Sequence, residues 1–327
     1  MASYIARRFL YMLVLLVLGS VVSFLVITLP PGDFIDSYVA QLSSQGTITT
    51  QDMVQGLREE YGLDRPVYVQ YAKWIWKVVH GDLGYSYQFN RKVSDLIGER
   101  IGMTILVSLV ALVVTYAIAI PIGIYSAVNQ YSPSDYIFTS IAFFGVSMPN
   151  FLLALILLIW LNRSFNLDAG GLFSEAYRSA PWSLAKLGDL AKHLPLPVLA
   201  IGLSGTASIT RITRGMLLDE LNRPYVTTAR AKGLTELQLL IKYPVRVALN
   251  PIVSTMGWAL PSIFSGGTIV SIVLNLPTVG PLLYQALMTE DMFLAASIIL
   301  ISIGLTAIGM LLSDILLAWL DPRIHYA

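Results

Sequence analysis

Long apolar runs separated by short polar ones organise this chain. Runs with little or no charge extend approximately from Phe9 to Leu29, Met103 to Val128, Tyr136 to Leu161, Leu194 to Ile209, Pro251 to Leu276 and Met292 to Leu320. A hydrocarbon core of about 30 Å takes roughly 20 residues of helix. Backbone groups in lipid have no water to pair with, and runs without period-2 alternation select helices over a closed barrel. The fourth run is the shortest and is expected to continue past Arg211 and Arg214 as a helix leaving the membrane. The pattern predicts an all-α polytopic membrane protein with six transmembrane helices.

The polar segments set its orientation. Arg7 and Arg8 precede the first span, which places both termini and the fourth-to-fifth connection on the cytoplasmic side. The first run is too long for a signal-peptide core and lacks a small-x-small cleavage site, so it reads as an uncleaved anchor. Residues 1–100 then form an anchor helix plus a long external loop, and residues 101–327 the transmembrane core. In the external loop, Thr49-x-x-Asp52 predicts a helix stopping at Tyr61-Gly62, and Asp64-Arg65-Pro66 starts a second. On this second helix, Val67, Tyr71, Trp74, Ile75 and Val78 make one stripe, which either lies along the membrane interface or packs onto the outer ends of the spans.

The cytoplasmic loop, about 217–250, predicts two short helices. Asn222-Arg223-Pro224 starts one through Lys232, Gly233 turns the chain, and Thr235-Glu236-Leu237-Gln238 reads as a capping box opening another that stops at Tyr243-Pro244. Such a structured polar element between two membrane spans is built to meet a partner.

Composition agrees with a lipid environment: 55% apolar residues, 13% charged residues and a mean hydropathy of +0.68 would cover a soluble domain in exposed apolar surface. A net charge of +1 carries no signature of nucleic acid, and the absence of cysteine excludes disulfides and thiolate metal sites. No Gly-Lys dipeptide occurs, so there is no P-loop for ATP. His80, His193 and His325 are scattered rather than clustered as zinc ligands would be. Gly202-Leu203-Ser204-Gly205 matches the GxSG of rhomboid-type intramembrane proteases, but no histidine base lies on a later span; small residues there also suit close helix packing. Ser204, Thr206, Ser208, Ser262, Ser265, Gly266, Gly267 and Thr268 fit either a pathway lining or helix packing. The span interiors lack Asp, Glu, Lys, Arg and His, apart from Asp314 near the end of the sixth, so a proton relay is not built in and energy must come from elsewhere.

Several motifs complete the reading. Tyr4-Ile5-Ala6-Arg7-Arg8, Leu29-Pro30-Pro31-Gly32-Asp33, Tyr61-Gly62-Leu63-Asp64-Arg65-Pro66, Gln70-Tyr71 and Gly81-Asp82-Leu83-Gly84-Tyr85-Ser86 occur in order. Ser147-Met148-Pro149-Asn150-Phe151, Pro277-Thr278-Val279-Gly280 and Leu320-Asp321-Pro322-Arg323 follow them. Together these resemble permease subunits of bacterial and archaeal ABC importers of the dipeptide/oligopeptide/nickel family, the type with a long first external loop.

The resemblance implies a type I ABC importer permease fold in the plasma (inner) membrane, transporting peptides, nickel chelates or oligosaccharides. It also implies a coupling helix and turn formed by Tyr225, Thr227, Thr228, Ala229, Arg230, Ala231, Lys232, Gly233 and Leu234. The family's Glu-Ala-Ala-x-x-x-Gly pattern falls on Thr227, Thr228, Ala229 and Gly233, so its Glu is missing and Thr227 also replaces the Arg of the subfamily. The implied partners are a second homologous permease in a heterodimer, two ABC ATPase subunits, an external solute-binding protein and membrane lipid. ATP and Mg belong to the ATPases; no cofactor is expected on this chain, which is not expected to be an enzyme. A stand-alone facilitator and an intramembrane serine protease are the competing readings.

Overall fold

The computed structural model describes residues 2–28, 64–165 and 170–320, with short pieces at 35–36, 39, 54–56 and 58–59; the described side chains exclude 2–6, 26, 254–266 and 316–320. The expected features at Leu29–Asp33, Thr49–Asp52 and Tyr61-Gly62, those beyond Leu320 including His325, and the side chains of Ser262, Ser265 and Gly266 therefore lie outside the described residues.

The described chain is mostly helical. In order come α1 (Ala2–Thr28), α2 (Val67–Val79), a hairpin of β1 (Tyr85–Ser86) and β2 (Arg91–Lys92), α3 (Val93–Val128), α4 (Pro133–Ser147), α5 (Asn150–Phe165), α6 (Glu175–Arg178) and α7 (Leu184–His193). They are followed by α8 (Pro195–Leu221), α9 (Pro224–Ala231), α10 (Glu236–Lys242), α11 (Pro244–Val273), α12 (Val279–Met288) and α13 (Met292–Leu320). Arg7–Leu25, Val93–Val128, Pro195–Leu221 and Met292–Ile315 are each long and apolar enough to cross a membrane. α8 runs on past Arg214, as its sequence predicts.

Two expectations change. The third apolar run is not one straight helix: α4 and α5 meet at a bend of 106°. Pro149 lies at the break, and the residue before it, Met148, is held extended at φ −92° and ψ 128°, because a following proline ring disfavours the helical region. The short hairpin also adds strand to a chain expected to be all-α, pairing Tyr85 with Lys92 and Ser86 with Arg91.

The chain divides into two compact units. Met1–Gly102 with Thr278–Ala307 forms the first, whose core joins Val93, Leu96 and Ile97 of α3 to Val279, Leu282 and Ala286 of α12 and to Leu294, Ala295 and Ile298 of α13. Here the α2 stripe packs on the end of α1. Trp74 is buried, its ring 5.4 Å from that of Phe24, and the Tyr71 hydroxyl lies 2.8 Å from the Ser20 hydroxyl.

The Gly81–Ser86 motif acquires a structural role in the same unit. Asp291, fully buried ahead of α13, accepts hydrogen bonds from the Ser86 hydroxyl at 2.5 Å, the Gln88 N–H at 3.1 Å and the Leu294 N–H at 3.4 Å. One carboxylate thereby caps a helix and pins a hairpin some 200 residues away in sequence. Burial pushes the Asp291 carboxyl above its ordinary range, against the pull of those donors. A raised folded value stabilises fully below the unfolded pKa, and that contribution disappears as pH rises through the folded value. The thermal stability of the full chain should therefore fall from acid towards neutral pH, and Asp291→Asn should flatten that part of the profile. An unchanged slope in the variant would refute the assignment.

Met103–Pro277 with Ile308–Ala327 forms the second unit. α8 is its axis, packing on α11, α4 and α5. Around it lie Val107 and Ala111 of α3, Ala154 of α5, Val198, Ala200 and Ile201 of α8, and Val270 of α11. The segment before α8 folds onto the same core through Leu172, Phe173 and Leu190. There Lys186 is buried with its Nζ donating to the Ala180 carbonyl at 2.5 Å and lying 4.9 Å from the Phe173 ring, which is how a lysine is accommodated in an apolar setting.

Candidate functional site

The predicted helix pair is present as α9 and α10, and its stability is local. Arg223 is the N-cap, extended at ψ 145°, and Pro224 takes the first helical position, where no N–H is needed. Asn222 is not the cap expected from the sequence; its side-chain amide instead donates back to the Leu218 carbonyl at 3.1 Å and closes α8. α9 ends at Ala231, with Lys232 as its C-cap. Gly233 then turns the chain at φ +82°, a left-handed conformation open to glycine at no steric cost, and its N–H donates to the Arg230 carbonyl at 3.1 Å.

Thr235 accepts the Gln238 N–H at 3.4 Å and starts α10, which forms half of the expected capping box. Instead of a reciprocal bond from Gln238, Glu236 takes a two-pronged contact from Arg230, at 2.7 and 3.1 Å. The Arg230 guanidinium holds the Glu236 carboxyl below its ordinary range, although both groups are exposed and the pair is open to salt screening.

Side chains divide between two faces. Val226 and Ala229 of α9 are buried against Leu239 of α10, with Leu234 and Tyr243 packed around them. Thr227, Thr228, Arg230, Ala231 and Lys232 face outward, as do Leu237 and Ile241, which are 68% and 62% exposed. Leu237 and Ile241 stand one turn apart on α10 and make an apolar pair beside the polar surface. Their spacing was visible in the sequence, but a seven-residue helix could have buried either face.

The joint to the membrane helices is braced. Tyr225 at the start of α9 donates its hydroxyl to Glu220 near the end of α8. Burial and that carboxylate push the Tyr225 phenol up to about 12, so it remains a donor throughout the physiological range. Ala127 of α3, Leu217 of α8, and Val245 and Ala248 of α11 form a buried cluster at the same joint. Further along α8, Arg214 forks onto Asp135 of α4, Nε to Oδ1 at 2.9 Å and Nη2 to Oδ2 at 2.8 Å. Asp135 is 2% exposed and also accepts the Tyr131 N–H and the Thr139 hydroxyl. At this level a Cβ on Gly123 of α3 would stand 2.6 Å from Thr213 Cβ and 2.9 Å from the Thr210 carbonyl oxygen, so α3 and α8 approach almost backbone to backbone. The helix that carries α9 is thus held from two sides. Sequence reasoning singled out neither Asp135 nor Glu220, since only folding brings them to their partners.

The Gly202–Gly205 segment is used for packing. A Cβ on Gly202 would lie 2.7 Å from the Thr115 hydroxyl, which donates to the Gly202 carbonyl at 3.3 Å. Ser204 is half-buried beside it. His193 stands at the end of α7, ahead of α8, with its Nδ1 2.8 Å from the Asp189 carbonyl oxygen.

Apolar helices long enough to cross a membrane, with a capped helix pair joining two of the helices, define a helical membrane protein. Residues 119–326 match the family described as binding-protein-dependent transport system inner membrane component, and residues 1–110 match its N-terminal family. The chain belongs to this family and is a membrane component of such a transport system. It is 36% identical to the oligopeptide transport system permease protein AppB of Bacillus subtilis, over 100% of both chains. Against the oligopeptide transport system permease protein OppB of Mycobacterium bovis it is 30% identical over 99% of each. It is also 28% identical to the peptidoglycan transport system permease protein YejB of Agrobacterium fabrum, over 100% of this chain and 99% of the relative.

Proposed function

We propose that this chain is one of two related permease subunits of an ATP-driven importer of oligopeptides, with α9, Gly233 and α10 as its docking element for an ATPase subunit. The carrying observation is the combination of a buried Val226–Ala229–Leu239 core, an outward face with Leu237 and Ile241, and a braced junction to α8 and α11. A rigid element transmits displacement to the helices that carry it, where a floppy loop would absorb it. The full-length likeness to oligopeptide permeases supports the peptide cargo.

In this reading six helices cross the membrane, the α4–α5 pair counting as one broken span, and both termini lie in the cytoplasm. Residues 1–100 supply the anchor and external loop, and residues 101–327 the core. A second homologous permease completes the pathway in a heterodimer, an external binding protein delivers the peptide, and two ATPase subunits carry ATP and Mg. This chain binds no cofactor; its own residues dock, transmit and line half the pathway. Among the candidate coupling residues, Ala229 and Leu234 hold the element together, along with Val226 in the first turn of α9. Tyr225 ties it to α8, while Thr227, Thr228 and Lys232 present the polar surface, with the small Ala231 among them.

The pair Leu237→Asp, Ile241→Asp tests the docking face, because both side chains are exposed and their replacement leaves the fold intact. Loss of an apolar anchor pair should lower the ATPase co-purified with the full chain by about tenfold or more, with membrane insertion unchanged. ATPase retention at the wild-type level would overturn the docking assignment.

A further inference from the structure

The side of α2 turned away from α1 carries a second pattern. Going round the helix from the buried Tyr71–Trp74–Val78 stripe, the next row is Gln70, Lys73 and Lys77. Beyond it is an exposed apolar strip in which Tyr68 and Val79 are each 74% exposed and Trp76 is 69% exposed. The basic row borders a cavity of about 360 Å³ whose wall includes Arg65, Lys73, Lys77, Trp74 and Phe293, with Glu59 as its one carboxylate. Among the described residues none of those three cations has an ion-pair partner. Trp74 is 1% exposed, and its indole N–H has no acceptor there.

The place of this cavity narrows its occupant. α2 packs against Ser20, Phe24 and Ile27, the last turns of the first membrane helix, so its exposed aromatic strip lies where aromatic side chains meet lipid headgroups. A soluble anion would use the cations and leave Tyr68, Trp76 and Val79 in water. A lipid uses both rows at once.

We propose that this cavity holds one anionic phospholipid from the leaflet at the C-terminal end of α1, with its phosphate among Arg65, Lys73 and Lys77 and its chains along Tyr68, Trp76 and Val79. The contact fastens α2 to the bilayer from the side that α1 does not hold. Glu59 opposes the negative headgroup and tempers the affinity.

Native mass spectrometry of the full-length chain in its purified complex, titrated with phosphatidylglycerol or phosphatidylcholine of matched chains, tests the site. The wild type should retain one phosphatidylglycerol in preference to phosphatidylcholine, and Lys73→Gln with Lys77→Gln should weaken that binding by roughly tenfold or more. Both lysines are exposed, so the double variant keeps its fold; Glu59→Gln, which removes the opposing charge, should strengthen binding. Tyr68→Ser with Trp76→Ser should weaken both lipids. Equal binding of the two lipids, or an undiminished preference in the lysine variant, would overturn the proposal. Displacement of phosphatidylglycerol by glycerol phosphate would assign the cavity to a soluble phosphate, and displacement by an oligopeptide would assign it to a peptide carboxylate; either result also overturns it.

Discussion

Gly233→Pro and Ala229→Glu should each uncouple ATP hydrolysis from import while the chain remains in the membrane. Proline fixes φ near −65°, whereas position 233 sits at +82°, and it removes the N–H that reaches the Arg230 carbonyl. The turn between α9 and α10 must then re-form in another geometry or carry strain of about 1–3 kcal/mol. Ala229 is 5% exposed against Val226 and Leu239, so a glutamate there either buries an unpaired charge or prises the two helices apart. Each 1.4 kcal/mol changes a docked population about tenfold, so ATP-driven uptake by reconstituted complexes should fall by at least about that factor. Residual ATP hydrolysis without uptake is the expected signature of uncoupling. Wild-type uptake in both variants would remove α9 and α10 from the transmission path.

Breaking the Asp135–Arg214 fork is the second large effect. Asp135 is nearly inaccessible and meets two of the guanidinium nitrogens, while the Arg214 side chain is 25% exposed, so removing the arginine leaves a buried carboxylate uncompensated, at a loss of up to about 3–5 kcal/mol. Arg214→Ala should therefore lower the unfolding midpoint sharply. Arg214→Lys should recover part of it, since an ammonium keeps the charge but not the fork. Asp135→Ala should destabilise less, because the partly exposed Arg214 can turn to water, and the double alanine variant should be less destabilised than the two losses added together, because it holds no stranded charge. Strict additivity would show that the two side chains do not act as a pair. Uptake should follow the same order, as α8 loses its tie to α4 while α9 remains formed.

The elements most legible in the sequence are those that depend on neighbours in the chain. Pro224 at a helix start, Gly233 at a positive-φ turn, Thr235 as a cap and Pro244 after Tyr243 all do what local backbone chemistry requires, and the structure has each in its place. The misses have the same explanation in reverse. Asn222 and Arg223 both suit a position before proline, and the choice between them fell to the preceding helix, which uses the Asn222 amide for its own carbonyl. Apolarity marked the run from Tyr136 to Leu161, but a hydropathy pattern has no term for direction, so the 106° change at Met148-Pro149 was invisible in it.

By itself, then, the sequence determined that this is a helical membrane protein, where its capped helix pair begins and turns, and through its ordered motifs which family it belongs to. Those properties arise from solvent, backbone sterics and spacing, all of which act over a few residues or a single span. Only the tertiary structure decided that Asp135 receives Arg214, that Glu220 receives Tyr225, that Asp291 holds the hairpin at Ser86, and that Leu237 and Ile241 remain outside while Leu239 goes in. Most of these contacts join residues far apart in sequence, and the face an amphipathic helix buries depends on what stands beside it.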